Sequence, residues 1–195
     1  MPPPKLILAS TSPYRRMLLE RLGIPVECIA PGVDEKAIKI KLKDPKAIAT
    51  TLARAKARAV CERHPEAIVI GGDQVAMIDD TILDKPGTPE NAIQQLQLLS
   101  ARTHELITAV CVMSPGEKLM EHADISRLSM RSLTDQAIEN YIRRDMPIDC
   151  AGSYKLEAAG ISLFHRIETS DHTAITGLPL VWLVSVLNEL GFAIP

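Results

Sequence analysis

Three helix starts of one type constrain the fold of this chain more than any other feature of its sequence. Ser12-Pro13, Asp44-Pro45 and Thr88-Pro89 each place a capping side chain directly before a proline at the first helical position. Apolar runs of strand length lie between the helical segments, and this alternation is typical of the α/β class. The pattern predicts helices at 13–22, 45–63, 89–100, 135–144 and 179–190, and strands at 5–9, 26–30, 67–72, 74–78, 81–85, 105–113, 119–131 and 160–167.

The sheet of this α/β fold is expected to be mixed. The predicted strands at 74–78 and 81–85 are too close in sequence for a parallel crossover, and Asp79-Asp80 between them suits a hairpin turn. That turn places Ile78 opposite Thr81. The sequence therefore predicts at least one antiparallel pair in addition to parallel strands.

Composition limits the class of protein. The chain has 195 residues, of which 46% are hydrophobic and 3% aromatic, so we expect one domain over 1–195 with an aliphatic core. Its formal net charge of −2 differs from the basic charge of most nucleic-acid-binding domains, so no stable nucleic-acid partner is expected. The apolar stretch in "MPPPKLILAS" is too short for a signal peptide, and no run approaches the length of a membrane span. These features predict a cytoplasmic protein without a membrane partner.

The cysteines give no sign of a disulfide or metal site. They are far apart in the sequence and form no C-x-x-C pair. We expect them to be reduced and mostly buried as small hydrophobic residues. They are Cys28, Cys61, Cys111 and Cys150.

The first helix start has the features of an anion site. Arg15 and Arg16 lie in its first turn, where cations oppose the helix dipole, and the free N–H groups of a helix start attract anions. A bound phosphate would offset both effects, with hydroxyls from Ser10, Thr11 and Ser12 and bidentate contacts from the arginines. In the alternative interpretation both arginines are solvated and Ser12 serves only as a cap.

A second polar cluster follows the apolar run at 67–70. Gly71-Gly72 allows close approach to the backbone, and Asp73 comes next, at the predicted carboxyl end of a strand where α/β sheets place ligands. Counting back along the hairpin places Gln74 opposite Lys85, and therefore Lys85 beside Asp73. Such a pair is either a surface ion pair or an acid–base pair at a site.

A lysine on the second long helix is a further candidate. At about 100° per residue, Ile48, Leu52, Ala55 and Ala59 share one face of this helix, and Lys56 lies on the flank of that face. A lysine in such a place extends its ammonium either to water or into a cleft.

Motifs of several other nucleotide and metal sites are absent. The sequence has no G-x-x-x-x-G-K-[ST], no G-x-G-x-x-G and no H-E-x-x-H. A catalytic metal would therefore be held by oxygen ligands, which suit Mg²⁺ or Mn²⁺.

Seven short motifs occur in order along the chain: "LASTSPYRR" (8–16), "VDE" (33–35), "ARAKA" (53–57), "GGDQV" (71–75), "DKP" (84–86), "CAGSYKLE" (150–157) and "GLPL" (177–180). Through these motifs the sequence resembles the Maf family of nucleoside triphosphate pyrophosphatases over essentially the whole chain. The resemblance implies a strongly bent mixed sheet flanked by helices, with two lobes around a central cleft, in a protein that is usually a homodimer.

The resemblance also implies an activity and a set of site residues. The family uses a divalent metal to hydrolyse nucleotides between the α- and β-phosphates, which yields a monophosphate and pyrophosphate. Asp73 matches its general base, and Mg²⁺ would lie near Glu35 and Asp73. The other residues that match the family's cleft are Ser10, Arg15, Glu35, Lys56 and Lys85, and the cations available for a triphosphate are Arg15, Arg16, Lys56, Lys85 and Lys155.

Three positions are similar to the 7-methyl-GTP branch of the family. Tyr14, Gln74 and Glu157 stand where the pyrimidine branch typically has arginine, threonine and glutamine. The ring of Tyr14 would stack on the cationic 7-methylguanine, although tryptophan is more usual at this position in the branch. Glu157 would accept hydrogen bonds from guanine and repel the carbonyl edge of thymine or uracil.

Two other functions are weighed beside 7-methyl-GTP hydrolysis. The first is a dTTP/UTP pyrophosphatase of the same family. The second is a nucleotide-binding regulator without turnover, against which Asp73 argues, because anion binding gains nothing from a carboxylate.

Overall fold

The computed structural model describes residues 4–116 and 118–194. Helices and strands alternate along them. The helices are α1 (Pro13–Glu20), α2 (Glu35–Lys39), α3 (Pro45–Cys61), α4 (Pro89–Leu99), α5 (Asp135–Asp145), α6 (His172–Thr176) and α7 (Leu180–Glu189), with a short 3₁₀ helix at Ala159–Leu163. The strands are β1 (Leu6–Leu8), β2 (Glu27–Cys28), β3 (Ile68–Ile78), β4 (Thr81–Leu83), β5 (Thr103–Ser114), β6 (Lys118–Met130) and β7 (Phe164–Glu168).

These strands form a mixed seven-stranded sheet, as predicted for the α/β class. The order is β2-β1-β3-β5-β6-β7, with β4 paired to β3. β1 is parallel to β2 and to β3, whereas β4 is antiparallel to β3 and β7 is antiparallel to β6. The hairpin is also confirmed, because Ile78 lies opposite Thr81. β4 ends at Leu83, so the predicted pairing of Gln74 with Lys85 lies outside the ladder.

The three predicted helix starts are confirmed in detail. Ser12, Asp44 and Thr88 are the N-caps of α1, α3 and α4, and a proline follows each one. Each side chain accepts a hydrogen bond from the backbone N–H three residues later, at 3.4, 2.8 and 3.3 Å respectively. Local capping chemistry therefore sets where these helices begin.

Other element predictions are corrected by the structure. The runs at 67–72 and 74–78 form the single strand β3, because the glycines stay extended. The first half of the predicted strand at 160–167 is the 3₁₀ helix, and only its second half belongs to β7. The sequence prediction missed α2 and α6, which have five residues each and are too short for a clear helical period.

The chain divides into two compact units. Unit 1 consists of Met1–Gln74, Thr108–Asp124 and Asp171–Pro195, and unit 2 consists of Val75–Ile107 and Ile125–Ser170. Unit 1 has an aliphatic core in which β1, β3 and β5 pack with α1 and α7 through residues such as Leu8, Ile70 and Leu183. The only tryptophan of the chain, Trp182, packs against this core, and its ring stacks on His122 with a centroid distance of 5.4 Å.

Unit 2 combines helix packing with a small aromatic cluster. In it α4 contacts α5, and α5 contacts the 3₁₀ helix. Tyr154 packs edge-on against Phe164 and against His104, with ring centroids 4.8 and 5.5 Å apart. His104 Nε2 lies 2.8 Å from the Tyr154 hydroxyl, while its Nδ1 is buried without a hydrogen-bond partner among the described residues. Burial lowers the pKa of His104 to about 4.

The cysteine prediction is confirmed in part. The four cysteines form no disulfide. Only Cys111 is fully buried, and burial raises the pKa of its thiol to about 12. Cys28 is exposed and Cys61 and Cys150 are partly exposed, so "mostly buried" was wrong. Across residues 4–116 and 118–194, no helix has the length and apolar character needed to span a membrane.

Candidate active site

A lysine ammonium between two carboxylates forms the centre of the candidate site in unit 1. Lys56 Nζ lies 2.7 Å from Asp73 Oδ1 and 2.7 Å from Glu35 Oε1. Lys56 is 7% exposed and Asp73 is 6% exposed, whereas the Glu35 side chain is 46% exposed. A buried ion pair of this kind holds both partners in one geometry, because either charge alone would be costly to bury.

The buried face of α3 places Lys56 in this position. That face includes Leu52, Ala53 and Val60 together with Lys56. The sequence prediction put Lys56 at the margin of the face and Ala55 and Ala59 within it, but these two alanines are partly exposed. The true face is rotated by about one residue, because the side of a helix that it buries depends on its contact with the sheet and not on its own period.

Asp73 lies within β3 and not at its end, which corrects the sequence prediction. The strand continues to Ile78 because its second half pairs with β4. The neighbouring strand β1 stops earlier, and its last residue, Leu8, pairs with Ile70. Asp73 therefore lies beyond the carboxyl end of β1. There the edge of β3 is not covered by β1, and side chains from the loop after β1 can approach it.

Two glycines allow other groups to approach β3 closely. A Cβ at Gly71 would lie 2.2 Å from the Ala53 carbonyl oxygen, so only glycine lets the α3 backbone pack at this distance. A Cβ at Gly72 would lie 3.2 Å from Arg15 Nε and 3.1 Å from Leu178 Cδ2. The first glycine thus brings Lys56 to the strand, and the second leaves room for a guanidinium.

Arg15 extends from the start of α1 over Gly72. Its Nε–H donates to the Gly177 carbonyl oxygen at 3.0 Å, and its Nη1 makes a long contact of 3.5 Å with Ser10 Oγ. Burial lowers the pKa of the Arg15 guanidinium, and the negative charges of Asp73 and Glu35 partly oppose this effect. The guanidinium is therefore within electrostatic reach of both carboxylates and has lost part of its hydration.

The other predicted residues around α1 have mainly local partners. Ser10 is buried, and its Oγ accepts a hydrogen bond from the Ser12 N–H at 3.1 Å. Ser12 caps α1, as predicted. Arg16 forms an exposed ion pair with Glu20 at 2.7 Å, one helical turn away. Tyr14 is partly exposed.

Gln74 is held by the segment that contains α6. Its Nε2 lies 3.1 Å from the Ala174 carbonyl oxygen, 3.0 Å from the Ile175 carbonyl oxygen and 2.9 Å from Thr108 Oγ1. Thr108 donates its own hydroxyl hydrogen to the Ala174 carbonyl at 2.8 Å. Because all three neighbours act as acceptors, the amide nitrogen must face them, and this fixes the orientation of Gln74.

Three predicted site residues belong to unit 2. Lys85 and Glu157 are exposed, and Lys85 lines a shallow depression together with Asn91 and Gln95. Lys155 Nζ lies 3.6 Å from Asp149 Oδ1, and its backbone N–H donates to the Tyr141 hydroxyl at 2.8 Å. That hydroxyl anchors the backbone next to the Lys155 side chain.

The two acidic side chains fit only a metal that takes most of its ligands from elsewhere. No group of three or more histidine, cysteine or acidic side chains suited to a metal occurs in the described parts of the chain. Lys56 binds one oxygen of Asp73 and one of Glu35. Mg²⁺ commonly uses one or two protein carboxylates and completes its shell with water and substrate phosphates, and these residues fit that pattern.

Sequence reasoning missed several residues that build the site. Gly177 supplies the carbonyl that holds Arg15, and its φ of 129° belongs to a region that favours glycine. Asp34 caps α2 with a 3.1 Å bond to the Ala37 N–H, and thereby sets the position of Glu35. An aspartate directly before an acidic first turn is a signal that could have revealed α2. Thr108 lies within an apolar strand run and gives no such signal.

Comparisons with known proteins agree with this arrangement. Residues 5–190 match the family model described as Maf-like protein. A 7-methyl-GTP pyrophosphatase of Bdellovibrio bacteriovorus is 47% identical over 189 residues, which cover 97% of this chain and 98% of the relative. A 7-methyl-GTP pyrophosphatase of Xanthomonas campestris is 45% identical over 192 residues, covering 98% and 99%.

Solved structures support the same fold. The Ham1 protein of Staphylococcus aureus aligns with a TM-score of 0.51 at 12% identity, over 95% of this chain and 98% of its own. A HAM1 protein of Coxiella burnetii aligns with a TM-score of 0.50 at 13% identity, with the same coverage. The ordered sequence markers, the mixed sheet and the family match all agree, and the chain belongs to the Maf-like protein family.

Proposed function

We propose that this protein is a nucleoside triphosphate pyrophosphatase that hydrolyses 7-methyl-GTP to 7-methyl-GMP and pyrophosphate. The observation that carries the proposal is the Lys56 ammonium held 2.7 Å from both Asp73 and Glu35, with the Arg15 guanidinium within electrostatic reach of both. The names of relatives that are 45–47% identical over nearly the full chain support the substrate.

Asp73 is proposed as the general base. A water oxygen attacks the α-phosphorus, the bond to the bridging oxygen breaks, and pyrophosphate leaves with the electron pair of that bond. The attacking water gives its proton to Asp73. Because Lys56 binds Oδ1, the proton goes to the other carboxylate oxygen.

Arg15 and Lys56 supply positive charge for the phosphates. A guanidinium forms paired hydrogen bonds with phosphate oxygens, and partial burial strengthens these bonds because water competes less. The Ser10 hydroxyl, next to Arg15 Nη1, is placed to add a donor. A divalent ion, Mg²⁺ or Mn²⁺, held by Glu35 and Asp73 would neutralise charge that develops on the phosphate oxygens.

The preference for one nucleotide base over another is proposed to depend on Tyr14, Gln74 and Glu157. Stacking of a tyrosine ring on a cationic purine contributes about 0.5–2 kcal/mol. The amide hydrogens of Gln74 are donated to Thr108 and to the α6 carbonyls. Gln74 is therefore proposed to shape the site rather than to donate to the nucleotide base. Glu157 accepts hydrogen bonds from the guanine edge. Arg16, Lys155 and Lys85 are proposed to contact the phosphates, with Lys85 also among the catalytic residues.

Pyrophosphate release from a matched nucleotide panel tests this function. The panel is 7-methyl-GTP, GTP, dTTP and UTP, each with Mg²⁺ and then with Mn²⁺. Preference for 7-methyl-GTP supports the proposal. Preference for dTTP or UTP keeps the chemistry and rejects the base assignment. No release from any nucleotide supports a binding protein without turnover.

Asp73→Asn separates catalysis from binding in the same assay. It removes the base while keeping the shape of the side chain, so turnover should fall by about 10²-fold or more. Asp80→Asn, in the exposed β3–β4 turn, is the matched control and should keep its activity. Equal turnover in Asp73→Asn and the parent protein would reject Asp73 as the base.

Further proposals concern the molecule as a whole. The chain is proposed to act as one pyrophosphatase domain over 1–195, as a homodimer in the cytoplasm. Size-exclusion chromatography followed by light scattering measures the mass of the protein in solution directly. Twice the chain mass supports the dimer, and a single chain mass rejects it.

A further inference from the structure

The segment between α6 and α7 is closed by a compact set of hydrogen bonds, defined here as the 171–181 clasp. Asp171 Oδ1 accepts from the Thr173 N–H at 2.9 Å and from the Thr173 hydroxyl at 2.6 Å. Asp171 Oδ2 accepts from the Val181 N–H at 2.7 Å, and Thr173 Oγ1 accepts from the Leu180 N–H at 2.9 Å. One buried carboxylate and one buried hydroxyl thus tie the start of α6 to the start of α7.

The interior of the clasp is tied to the same threonine. The N–H groups of Gly177 and Leu178 both donate to the Thr173 carbonyl, at 3.2 and 3.3 Å. Thr173 therefore fixes the turn by its side chain and by its backbone. A buried polar network in which every member is satisfied makes one arrangement much more stable than the alternatives.

The turn that the clasp encloses supplies acceptors to two residues of the proposed site. The Gly177 carbonyl accepts from Arg15 Nε, and the Ala174 and Ile175 carbonyls accept from Gln74 Nε2. A Cβ at Gly177 would lie 3.3 Å from Arg15 Cγ, so the turn also touches the stem of the arginine. Every such acceptor lies between the two ends that the clasp joins.

We propose that Asp171 and Thr173 are positioning residues that set the direction of the Arg15 guanidinium through the Gly177 carbonyl. They bear on catalysis only through Arg15, so the kinetic part of this inference rests on the proposed function. Without the clasp, the carbonyl would move and Arg15 would lose its fixed Nε–H partner. A shift of this kind lowers the rate of catalysis, because the reacting groups must be held within a narrow range of distances and angles.

Thr173→Val is the principal test. Valine keeps the shape of threonine and removes the hydroxyl that joins Asp171 to Leu180. We expect kcat/KM for 7-methyl-GTP to fall about tenfold to a hundredfold. Thr173→Ser keeps the hydroxyl and should restore the parent value. Thr103→Val, which removes an exposed hydroxyl bonded to Ser129, is the matched control and should not change kcat/KM.

A double-mutant cycle shows whether Thr173 acts through Arg15. Arg15→Lys lacks the Nε–H that Gly177 accepts, so adding Thr173→Val to it should cause little further loss of kcat/KM. Losses that multiply independently in the double variant would overturn the proposal. Asp171→Asn is the second variant if Thr173→Val does not fold, and it should behave in the same way.

An NMR measurement tests the geometry without any activity. The Arg15 Nε–H signal is assigned by its loss in Arg15→Lys and then followed in each clasp variant. It should shift or broaden in Thr173→Val and stay in place in Thr173→Ser and Thr103→Val. An unchanged signal in both Thr173→Val and Asp171→Asn would overturn the inference, even if the parent protein proved inactive on every nucleotide.

Discussion

At the scale of single residues, the site depends on a cation that two acids share. Lys56 is buried on a helix face that otherwise consists of alanine and aliphatic residues. A lysine in such a place would normally be unfavourable, and here Asp73 and Glu35 offset its burial. The free energy of unfolding and the proposed activity therefore depend on the same side chains.

Lys56→Met should destabilise the protein strongly. The methionine fits the apolar face, but Asp73 remains buried without its ammonium partner, which costs about 3–5 kcal/mol. Urea denaturation measures the change. Lys46→Met, at an exposed position of α3, is the control and should stay within about 0.5 kcal/mol of the parent. A small effect of Lys56→Met would mean that the pair is not maintained in solution.

His104 should make folding depend on pH. It is 1% exposed, and burial lowers its pKa to about 4 from an ordinary value of 6.5. Between these values the unfolded chain binds a proton that the folded protein excludes. The stability that His104 contributes is therefore complete above pH 6.5 and decreases as the pH falls, by about 3 kcal/mol once pH 4 is reached.

Urea denaturation at pH 7 and pH 4.5 measures this loss. His104→Gln keeps a polar group toward Tyr154 and should show a smaller loss between the two pH values than the parent protein. His165→Gln, at an exposed position of β7, should keep the parent's pH dependence. Identical losses in all three proteins would contradict the prediction.

At the scale of secondary-structure elements, the adjacent glycines Gly71 and Gly72 of β3 make room for different neighbours. Gly71→Ala places a Cβ against the α3 backbone at Ala53, so the whole helix must move, and we expect a loss of about 3 kcal/mol or more. Gly72→Ala meets only the side chains of Arg15 and Leu178, which can adjust. This variant should keep most of its stability and lose activity.

Thermal unfolding and pyrophosphate release, measured on both variants, check this separation. Each variant serves as the control for the other, because the chemical change and the strand are the same. Equal stability losses would show that the approach of α3 to β3 is not the limiting contact. Full activity in Gly72→Ala would mean that turnover does not require the close approach of Arg15 to Gly72.

The elements also show what the sequence could reveal and what it could not. The starts of α1, α3 and α4 follow from a cap and a proline, which act within one turn, so local sequence was sufficient. The position of Asp73 within β3 depends on pairing with β4, and the buried side of α3 depends on contact with the sheet. Those contacts join residues that are distant in sequence, and no local period encodes them.

The candidate site divides in the same way. Asp73 and Lys56 were candidates from local sequence patterns, Glu35 was added by the resemblance to a known family, and the structure brings these three together. The partners of Arg15 and Gln74 on the clasp were not found. They are backbone carbonyls, which every residue type has, so the sequence does not mark them. The catalytic and binding roles of all these residues, and those of Arg16, Lys85, Lys155 and Glu157, stay predictions.

At the scale of the whole molecule, the net charge of −2 means that the proposed substrate, a polyanionic nucleotide, would be bound through local positive charge. Because a nucleotide would bind the folded protein and not the unfolded chain, it should stabilise the fold, by about 2.7 kcal/mol at a nucleotide concentration of a hundred times Kd. Asp73→Asn removes a negative charge from the site, so its thermal shift with 7-methyl-GTP in the absence of a divalent metal should equal or exceed that of the parent. Loss of the shift in this variant, but not in Asp80→Asn, would mean that Asp73 is needed for binding.

The single tryptophan gives the unfolding experiments above a built-in optical probe. Trp182 belongs to unit 1, where its indole is stacked on the His122 imidazole. Its fluorescence therefore records the unfolding of that unit alone, while far-UV circular dichroism records the entire chain. Coincident transitions would mean that both units melt as one cooperative system. Separate transitions would give an independent free energy of unfolding for unit 1, which contains Lys56, Asp73 and Arg15.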